Sequence, residues 1–582
     1  MLYLYQLEPG RVARNRSELA TIKWTPSKTG CGVLLVSAVF AGRHAGFRSF
    51  VAFAKSEATR LFTGARARHE KMTTPSAESK PLVGEKHNDH SQEGIHYGTE
   101  SYHSHHDNHH HRFVSLGEDV PLYCPPKQRQ RWGDHYILPH VNWGDLFFDL
   151  FYVAAAYNLD GIMDHDPSFR GLLYFVCCYL PISLVWVEKL GYDGKFAPDD
   201  NLFHRGWEIA HLGIVGTIVQ HVQTVEIMSQ TTKYPTTMIF ASALCVESWS
   251  QLLRYKDVYH NVIGGEEAVH EAQADSLRKF FVSLCFLAAA IIAGFDYFGK
   301  PSTQATNDLP VILCGLSYLV ERLQTCLQTF YLIPKSGKEF YDVRVPMNLE
   351  FALHRLGEWV MLMLGETVLS LLIAPQSKGA RYYLTFYTGI TAVTLLQYLF
   401  FRSQPFAIED HAGRRSLLGT LIFTEMLTIY SGCLIVFGGA YKLTLDQYVL
   451  EETLPPSATV GVYTLAQRRA RIANLFCWSL TVSMVALDFM IVTHRGFRGN
   501  FARFRNPAGG CNVVPTIILI VSLSLLGFTV TLSMWIHSLE WMSLLGLLVV
   551  VFQVLLRTFG LRYFPVSKKA MDAALGRLPI PT

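Results

Sequence analysis

Charged side chains are scarce in this sequence. Only 17% of its 582 residues are Asp, Glu, Lys or Arg, whereas 50% are hydrophobic. The net charge of +4 provides no large basic surface, so nucleic acid is not expected as a partner. This composition excludes an ordinary soluble protein and indicates a protein that resides in a lipid bilayer.

Cysteine motifs are also missing. Eleven cysteines occur, but none forms a CxxC pair or a metal-spaced set with histidine, which argues against a redox motif or a zinc ribbon. Most of the cysteines fall within long apolar runs, where they are expected to be small core residues rather than disulfide partners. No cofactor is predicted.

Long apolar runs are abundant, and an α-helix of about 20 residues is long enough to span a bilayer. We count twelve such runs, at roughly 143–163, 171–192, 207–228, 236–255, 277–298, 309–332, 350–373, 381–402, 416–440, 472–493, 513–536 and 541–562. The third and fourth contain several ionisable residues, so ten or eleven spans is the alternative. The predicted fold is all-α, a polytopic helical membrane domain over residues 136–565 with about 12 transmembrane helices.

The distribution of Lys and Arg predicts the orientation. Most of those outside the spans lie before the first span, after the even-numbered spans or beyond the last one. Because cytoplasmic loops carry the positive excess, this pattern predicts an even number of spans. It also places both termini, including the tail 566–582, in the cytoplasm. The particular membrane and the oligomeric state are left open.

The first 135 residues differ from the rest. Residues 1–71 contain twelve Lys and Arg against four Glu and no Asp, which indicates an organelle transit peptide. The alternative is that translation begins at Met72. Residues 72–135 are polar and rich in Ser, Glu and His, so they are predicted to form a disordered cytoplasmic region.

Nine histidines lie between His87 and His111, and such a tract can bind divalent metal loosely. A zinc-transport function is one interpretation, and a low-complexity tail is the other. Zinc transport needs paired His and Asp ligands within the membrane, and the apolar runs contain no HxxxD or HxxxH pair. The metal is therefore unknown, and the weak candidate ligands are His105, His106, His109, His110 and His111.

Several apolar runs contain ionisable residues, which cost at least about 2.5 kcal/mol each at bilayer depth and usually have a function. In the first run, Asp145 lies in the first helical turn and Asp149 one turn deeper on the same face. Asp160 falls near the opposite boundary and is expected to be solvated. Other candidates for the interior are Glu208, His211, Glu226, Glu247, Glu321, Arg322, Glu425 and Asp488.

The seventh run has the densest set of these groups. His354 and Arg355 lie four and three residues before Glu358, so both can meet it on a helix. Glu366 follows Glu358 by about 12 Å along the helix axis. This spacing indicates stations for protons or cations. The alternative is that the arginine closes an ion pair and the remaining acids are protonated packing groups.

Two of these runs resemble a known family. The segment GDLFFDLFYVAAAYNL is similar to the first-span motif ELFFDLVFVFAI of the low temperature requirement A (LtrA) family. The segment HRLGEWVMLMLGETVLSLL resembles that family's later motif ERFGLFTIIVLGES. Position by position, the matching residues are Asp149, Arg355, Gly357, Gly365 and Glu366.

Two positions depart from the family pattern. Asp145 replaces a Glu, and His354 replaces the Glu that precedes the motif Arg. Arg355 must then find another acid, for which Glu350 and Glu358 are the neighbouring candidates. The resemblance implies an integral multi-span membrane protein linked to growth at low temperature in bacteria, and it implies no particular chemistry.

The leading hypothesis is a non-enzymatic transporter or channel-like protein that moves protons, or a cation with protons, along the first, third and seventh spans. Its candidate residues are Asp145, Asp149, Glu208, His354, Arg355, Glu358 and Glu366. A membrane scaffold that transports nothing is one alternative. A lipid-modifying enzyme is another, but the spans contain no HxxxH or HxxxxD box of the kind that such chemistry uses.

Overall fold

A computed structural model describes residues 120–130, 143–197, 201–222, 236–298, 304–335, 337, 342–377, 379–405, 411–415, 417–455, 457–495, 513–536 and 538–563. The basic segment 1–71, the histidine tract that ends at His111 and the tail 566–582 lie outside these residues. So does Glu226. The predictions made for them therefore remain predictions.

The described residues contain twelve long helices, one at each predicted apolar run, which confirms the all-α fold. They are α1 Trp143–His165, α2 Phe169–Lys195, α3 Leu202–Gln220, α4 Thr236–Asn261, α5 Glu266–Phe298, α6 Gln304–Leu327, α7 Leu349–Ile373, α8 Ala380–Ser403, α9 Leu417–Thr453, α10 Leu465–Arg495, α11 Val513–Trp535 and α12 Leu539–Tyr563. A π-helical turn, Gln328–Leu332, extends α6, and it is followed by the short helix Ile333–Lys335. Another short helix, Ala412–Arg415, precedes α9.

Eight of the described helices are long and apolar enough to cross a membrane, namely α1, α2, α5, α7, α8, α9, α10 and α12. The apolar part of α11, Ile520–Trp535, is shorter. The described part of the chain thus has several apolar helices that are long enough to span a membrane. The count of twelve crossings stays a prediction, because α3, α4 and α6 are not among these eight.

Short strands join the helix ends. β1, Lys127–Gln128, pairs antiparallel with β2, Phe196–Ala197, and so fastens the segment before α1 to the end of α2. β3, Thr459–Val460, and β4, Tyr463–Thr464, form a hairpin between α9 and α10. Gly461 in its turn has a φ of 65°, a backbone conformation that glycine adopts without steric cost.

Side-chain caps fix where some of these helices begin. Asn348 accepts a hydrogen bond from the backbone N–H of Phe351 at 3.1 Å, which satisfies a donor that the first turn of α7 leaves free. Asn201 accepts from the N–H of His204 at 2.9 Å at the start of α3. The cap on α7 fixes the position of the acid-bearing helix from its first turn.

Helices α1 and α7 run parallel to each other. Asp149 of α1 contacts Arg355 of α7, and eleven residues further along both helices Asp160 and Glu366 lie beside Ser370. Eleven residues are close to three helical turns, about 16 Å, so each pair of positions lies on one helix face. The α1–α7 interface therefore holds two polar levels separated by three turns.

Helix α9 packs tightly against both of these helices, and glycines make the close approach possible. A Cβ added to Gly438 would lie 2.8 Å from the Cα of Thr367 on α7. A Cβ added to Gly439 would overlap the Oδ1 atom of Asp160 on α1. Helices α1, α7 and α9 thus form the packed centre that positions the candidate site.

Candidate ion-binding site between α1, α7 and α9

The first polar cluster is an ion pair between the two family motifs. Arg355 Nη1 donates to Asp149 Oδ2 and Arg355 Nη2 to Asp149 Oδ1, each at 2.8 Å. The indole N–H of Trp186 on α2 also donates to Asp149 at 3.0 Å. Both charged groups are buried. A two-point pair with a further donor is the arrangement that best compensates for burying an arginine and a carboxylate.

Glu358 supplies the second acid to this arginine. Arg355 Nη1 donates to Glu358 Oε2 at 2.6 Å, and His354 Nδ1 lies 3.2 Å from Glu358 Oε1. The His354 side chain is half exposed, so it lies at the rim of the cluster. Of the two acids expected to replace the missing family Glu, Glu358 contacts Arg355, and Asp149 from the first span joins it.

An aromatic layer lies directly beyond this ion pair. The rings of Trp186 and Trp359 are 4.5 Å apart, and those of Tyr152 and Trp359 are 5.6 Å apart. These three side chains and Met363 are almost entirely buried. Tyr152 and Trp359 lie about one turn beyond Asp149 and Arg355 on their helices, and Met363 lies one turn further on, so these side chains stand between the Asp149–Arg355 pair and Glu366.

The second polar cluster surrounds Asp160. Ser370 Oγ lies 3.2 Å from Asp160 Oδ2 and 3.4 Å from Glu366 Oε1. Lys442 of α9 donates to Asp160 Oδ2 at 3.4 Å and also to Asp164. Asp160 is fully buried, so the expectation that it would be solvated was wrong. The physical reason is that α9 extends over the end of α1 and covers it.

Negative charge is in excess in this second cluster. Asp446 and Arg468 lie close enough to Asp164 and Lys442 to interact electrostatically with them. One buried carboxylate oxygen on each of its four acids, Asp160 Oδ1, Asp164 Oδ1, Glu366 Oε2 and Asp446 Oδ1, has no hydrogen-bond partner among the described residues. Counting side chains, four acids face two cations: Asp160, Asp164, Glu366 and Asp446 against Lys442 and Arg468.

The remaining predicted residues, Asp145 and Glu208, make no direct contact with either cluster. Asp145 binds Lys189 of α2 at 3.3 Å, beside the Asp149 cluster. Glu208 is exposed on α3 and belongs to neither cluster. The structure thus brings Asp149, Arg355, Glu358 and His354 together and places Glu366 in a separate cluster.

Other buried acids from the sequence are paired individually. Glu247 lies 2.9 Å from His211, and Glu425 lies 2.7 Å from Arg322. Glu321 lies 3.5 Å from Lys279 rather than pairing with its neighbour in sequence, and Asp488 lies 2.6 Å from Arg557. Glu321, Glu425 and Asp488 thus each have a cationic partner, and Glu247 has an imidazole partner.

A larger ion network on α5 was missed from sequence. Glu271 accepts hydrogen bonds from Lys195 at 2.5 Å and from Arg344 at 3.1 Å, and its other oxygen accepts the backbone N–H of Val345 at 2.5 Å. This network joins the end of α2, the start of α5 and the connection before α7. It fixes that connection without leaving a carboxylate free.

Ser370, Lys442 and Asp164 were also missed. The predicted ninth span ended at residue 440, which placed Lys442 in a loop, whereas α9 continues to Thr453. A signal was present, because Asp160 and Asp164 are one turn apart, as are Lys442 and Asp446. Charged residues at helical spacing on both sides of a boundary are typical of a cluster between two helices.

No set of three or more His, Cys, Asp or Glu residues in the described part of the chain is arranged to hold a metal ion. The candidate ligands His105 to His111 lie outside that part. Asp160 already contacts both Ser370 and Lys442, and Glu366 shares only Ser370 with it. The arrangement can therefore hold a proton more readily than a divalent metal.

Comparison with known proteins agrees with the motif resemblance. No curated protein and no solved structure matches the chain. A family model described as "Bacterial low temperature requirement A protein (LtrA)" matches residues 140–552, which includes every helix of the two clusters. The residues that carried the resemblance, Asp149, Arg355 and Glu366, lie at the two polar levels of the α1–α7 interface. The chain belongs to the LtrA family of membrane proteins.

Proposed function

We propose that this protein is a multi-pass transporter or channel-like protein that moves protons, or a small cation with protons, along α1, α7 and α9. The observation that carries the proposal is the excess of carboxylates in the second cluster, where each of the four acids has an oxygen without a hydrogen-bond partner among the described residues. A buried acid without a partner needs a proton or a cation to neutralise it. Helix α9 takes the place of the third span in the original hypothesis, because Glu208 is exposed.

Exposure within the second cluster supports access from one membrane face. The side chain of Asp160 is fully buried, whereas that of Lys442 is 14% exposed and that of Asp164 is 25% exposed. The exposure of the charged side chains thus decreases from Asp164 at the end of α1 inward to Asp160. A proton can approach the buried acids along this gradient without crossing an apolar layer.

The other face is closed in this conformation. The aromatic layer of Tyr152, Trp186 and Trp359 separates Glu366 from the Asp149–Arg355 pair. An ion that continued across the membrane would have to pass both the layer and the ion pair. We infer that transport needs a second conformation in which this packing opens.

Orientation is part of the proposal. With both termini in the cytoplasm and an even number of spans, the Asp149–Arg355 pair lies toward the cytoplasm, since it is near the start of α1. The Asp160–Glu366 cluster then opens to the opposite side. A reporter that is active only in the cytoplasm, fused to one end of the chain or to the other, tests this orientation. Activity at one end and not at the other would contradict the even number of spans.

Flux measurement in proteoliposomes tests the transport function. The wild-type protein should dissipate an imposed proton gradient, and Glu366→Gln should abolish this activity. Glu247→Gln is the matched control, because Glu247 is equally buried but paired with His211. Absence of proton, sodium and potassium flux in the wild type, or unchanged flux in Glu366→Gln, would rule out the proposal.

A scaffold without transport is the second candidate, and the pairing of most buried acids supports it. On that view, neutralising Glu366 would affect folding alone. We propose no enzymatic activity, and unchanged membrane lipids in cells that lack the protein would agree with this. A role in growth at low temperature, which the family resemblance implies, is tested by complementation with the wild type and with Glu366→Gln.

A further inference from the structure

Ser370 stands between two buried carboxylates and can serve only one of them as a donor. Its hydroxyl oxygen lies 3.2 Å from Asp160 Oδ2 and 3.4 Å from Glu366 Oε1. A serine hydroxyl carries a single proton, so it donates one hydrogen bond and accepts others. The shorter contact assigns that donation to Asp160. Glu366 is then left without a donor among the described residues.

The charges around Ser370 also indicate that Asp160 is the ionised member of the pair. Lys442 donates to Asp160 and Asp164, so the ammonium group stabilises the ionised form of both aspartates. None of the described cations forms an ion pair with Glu366, which is 1% exposed and interacts with Lys442 only at longer range. Two ionised carboxylates joined by one hydroxyl repel each other, and such a pair commonly keeps one proton. Glu366 is the member that lacks a cation and therefore the member that keeps the proton.

We propose that Asp160, Ser370 and Glu366 form one unit that holds a single exchangeable proton, carried by Glu366. The protonated Glu366 donates to Ser370 Oγ, which donates to the ionised Asp160. When the proton leaves, Glu366 gives its proton to Ser370, Ser370 gives its own to Asp160 Oδ2, and that proton departs toward Asp164. One proton is lost and Glu366 becomes a carboxylate.

This assignment deepens the proposed function by naming the proton as the ion. Lys442 already occupies the position of a cation beside Asp160, so a metal ion there would be repelled, whereas a proton needs no coordination shell. Asp160 Oδ1 rests against Gly439, where even a Cβ would overlap it. Besides Lys442, Asp164 on α1 faces the unit, and Asp446 on α9 and Arg468 on α10 interact in turn with Asp164.

Infrared difference spectroscopy of the full-length protein in lipid nanodiscs tests the unit directly. The spectrum taken across a pH titration should show the carbonyl stretch of a protonated carboxylic acid, shifted in heavy water and absent in Glu366→Gln. The band should persist in Glu247→Gln. A band that survives in a folded Glu366→Gln protein would overturn the assignment.

Ser370→Ala removes the bridge while keeping both acids. It should move the band and change the proton affinity of the unit by about tenfold, which is one pH unit. Ser483→Ala is the control, since Ser483 is equally buried but donates to the Leu480 carbonyl of its own helix. Should Glu366→Gln fail to fold, Ser370→Ala carries the test alone, and a band that stays in place would overturn the proposal.

The identity of the ion and the transport function can fail separately. Sodium or potassium that displaces the band at constant ionic strength would show a metal cation at the unit and overturn the proton assignment. A band that behaves as expected in a protein that moves no protons in vesicles would leave the unit intact and rule out the transport function. Flux that survives in Glu366→Gln would place the transport path elsewhere.

Discussion

Arg355 and Asp149 are 206 residues apart in sequence and joined by two hydrogen bonds of 2.8 Å. The two family motifs therefore meet in space, and their charged residues form one contact. That contact fixes the register of α7 against α1. The same register brings Ser370 and Glu366 to Asp160 three turns further along.

Breaking this pair should destabilise the protein strongly. Arg355→Gln leaves the Asp149 carboxylate buried without a cation, which costs about 3–5 kcal/mol. The double variant Asp149→Asn, Arg355→Gln removes both charges and should recover a large part of that loss. Unfolding midpoints of the purified proteins in one detergent measure this. A double variant as unstable as Arg355→Gln would show that the uncompensated charge of Asp149 is not the cause of the loss.

The close approach of α9 should depend on Gly439. An alanine there overlaps Asp160 Oδ1, so Gly439→Ala should lower the stability by about 1–3 kcal/mol, the usual range for overpacking. It should also alter the proton affinity of the second cluster. Gly365→Ala is the control, because a Cβ at Gly365 meets nothing within 4 Å. Equal midpoints for the two alanine variants would contradict this account of the packing.

The sequence was sufficient for the helices but not for the contacts between them. Apolar runs of this length predict helices because a segment in lipid must satisfy its backbone hydrogen bonds internally, which a helix does. The partner of Arg355 was sought within its own helix, at Glu350 and Glu358, since only neighbours at helical spacing can be derived from one run. Asp149 depends on the packing of α1 against α7, which no local pattern encodes.

The second cluster was also not predictable from the sequence, because the burial of its residues depends on another helix. Asp160 was expected to be solvated because its run ends a few residues later. Lys442 was assigned to a loop because the apolar run of α9 ends before it. The helix continues beyond its apolar part to Thr453 and covers Asp160 with a charged side chain. Burial by a polar helical extension leaves no apolar signal in the sequence.

The stability of the protein should depend on pH through the protonation of His411, which lies between α8 and α9 outside the spans. Burial lowers the pKa of His411 to about 4, and its ring centroid lies 4.5 Å from that of His494. The unfolded chain binds a proton at this histidine near pH 6.5, whereas the folded chain does so near pH 4. The contribution of His411 to stability is therefore complete above pH 6.5 and falls between pH 6.5 and 4, by about 3 kcal/mol in all.

A variant isolates this contribution. His411 Nδ1 accepts the backbone N–H of Gly413 at 3.1 Å, and Asn in its place keeps an acceptor but does not titrate. The unfolding midpoint of His411→Asn should vary less between pH 6.5 and 4 than that of the wild type. Parallel curves for the two proteins over that interval would show that other groups set the pH dependence.

The aromatic layer should prevent protons from passing between the two polar clusters. Trp359→Ala leaves a cavity between the Asp149–Arg355 pair and Glu366, with polar groups at both ends that can hold water. If the transport proposal is right, water in that cavity should raise the passive proton conductance of vesicles containing the variant. Trp478→Ala is the control, since Trp478 is 54% exposed on the outside of α10. Because the cavity itself costs about 3–5 kcal/mol, conductance is compared only between folded proteins reconstituted at equal density. A Trp359→Ala protein that is folded and no leakier than Trp478→Ala would mean that the layer does not close a proton path.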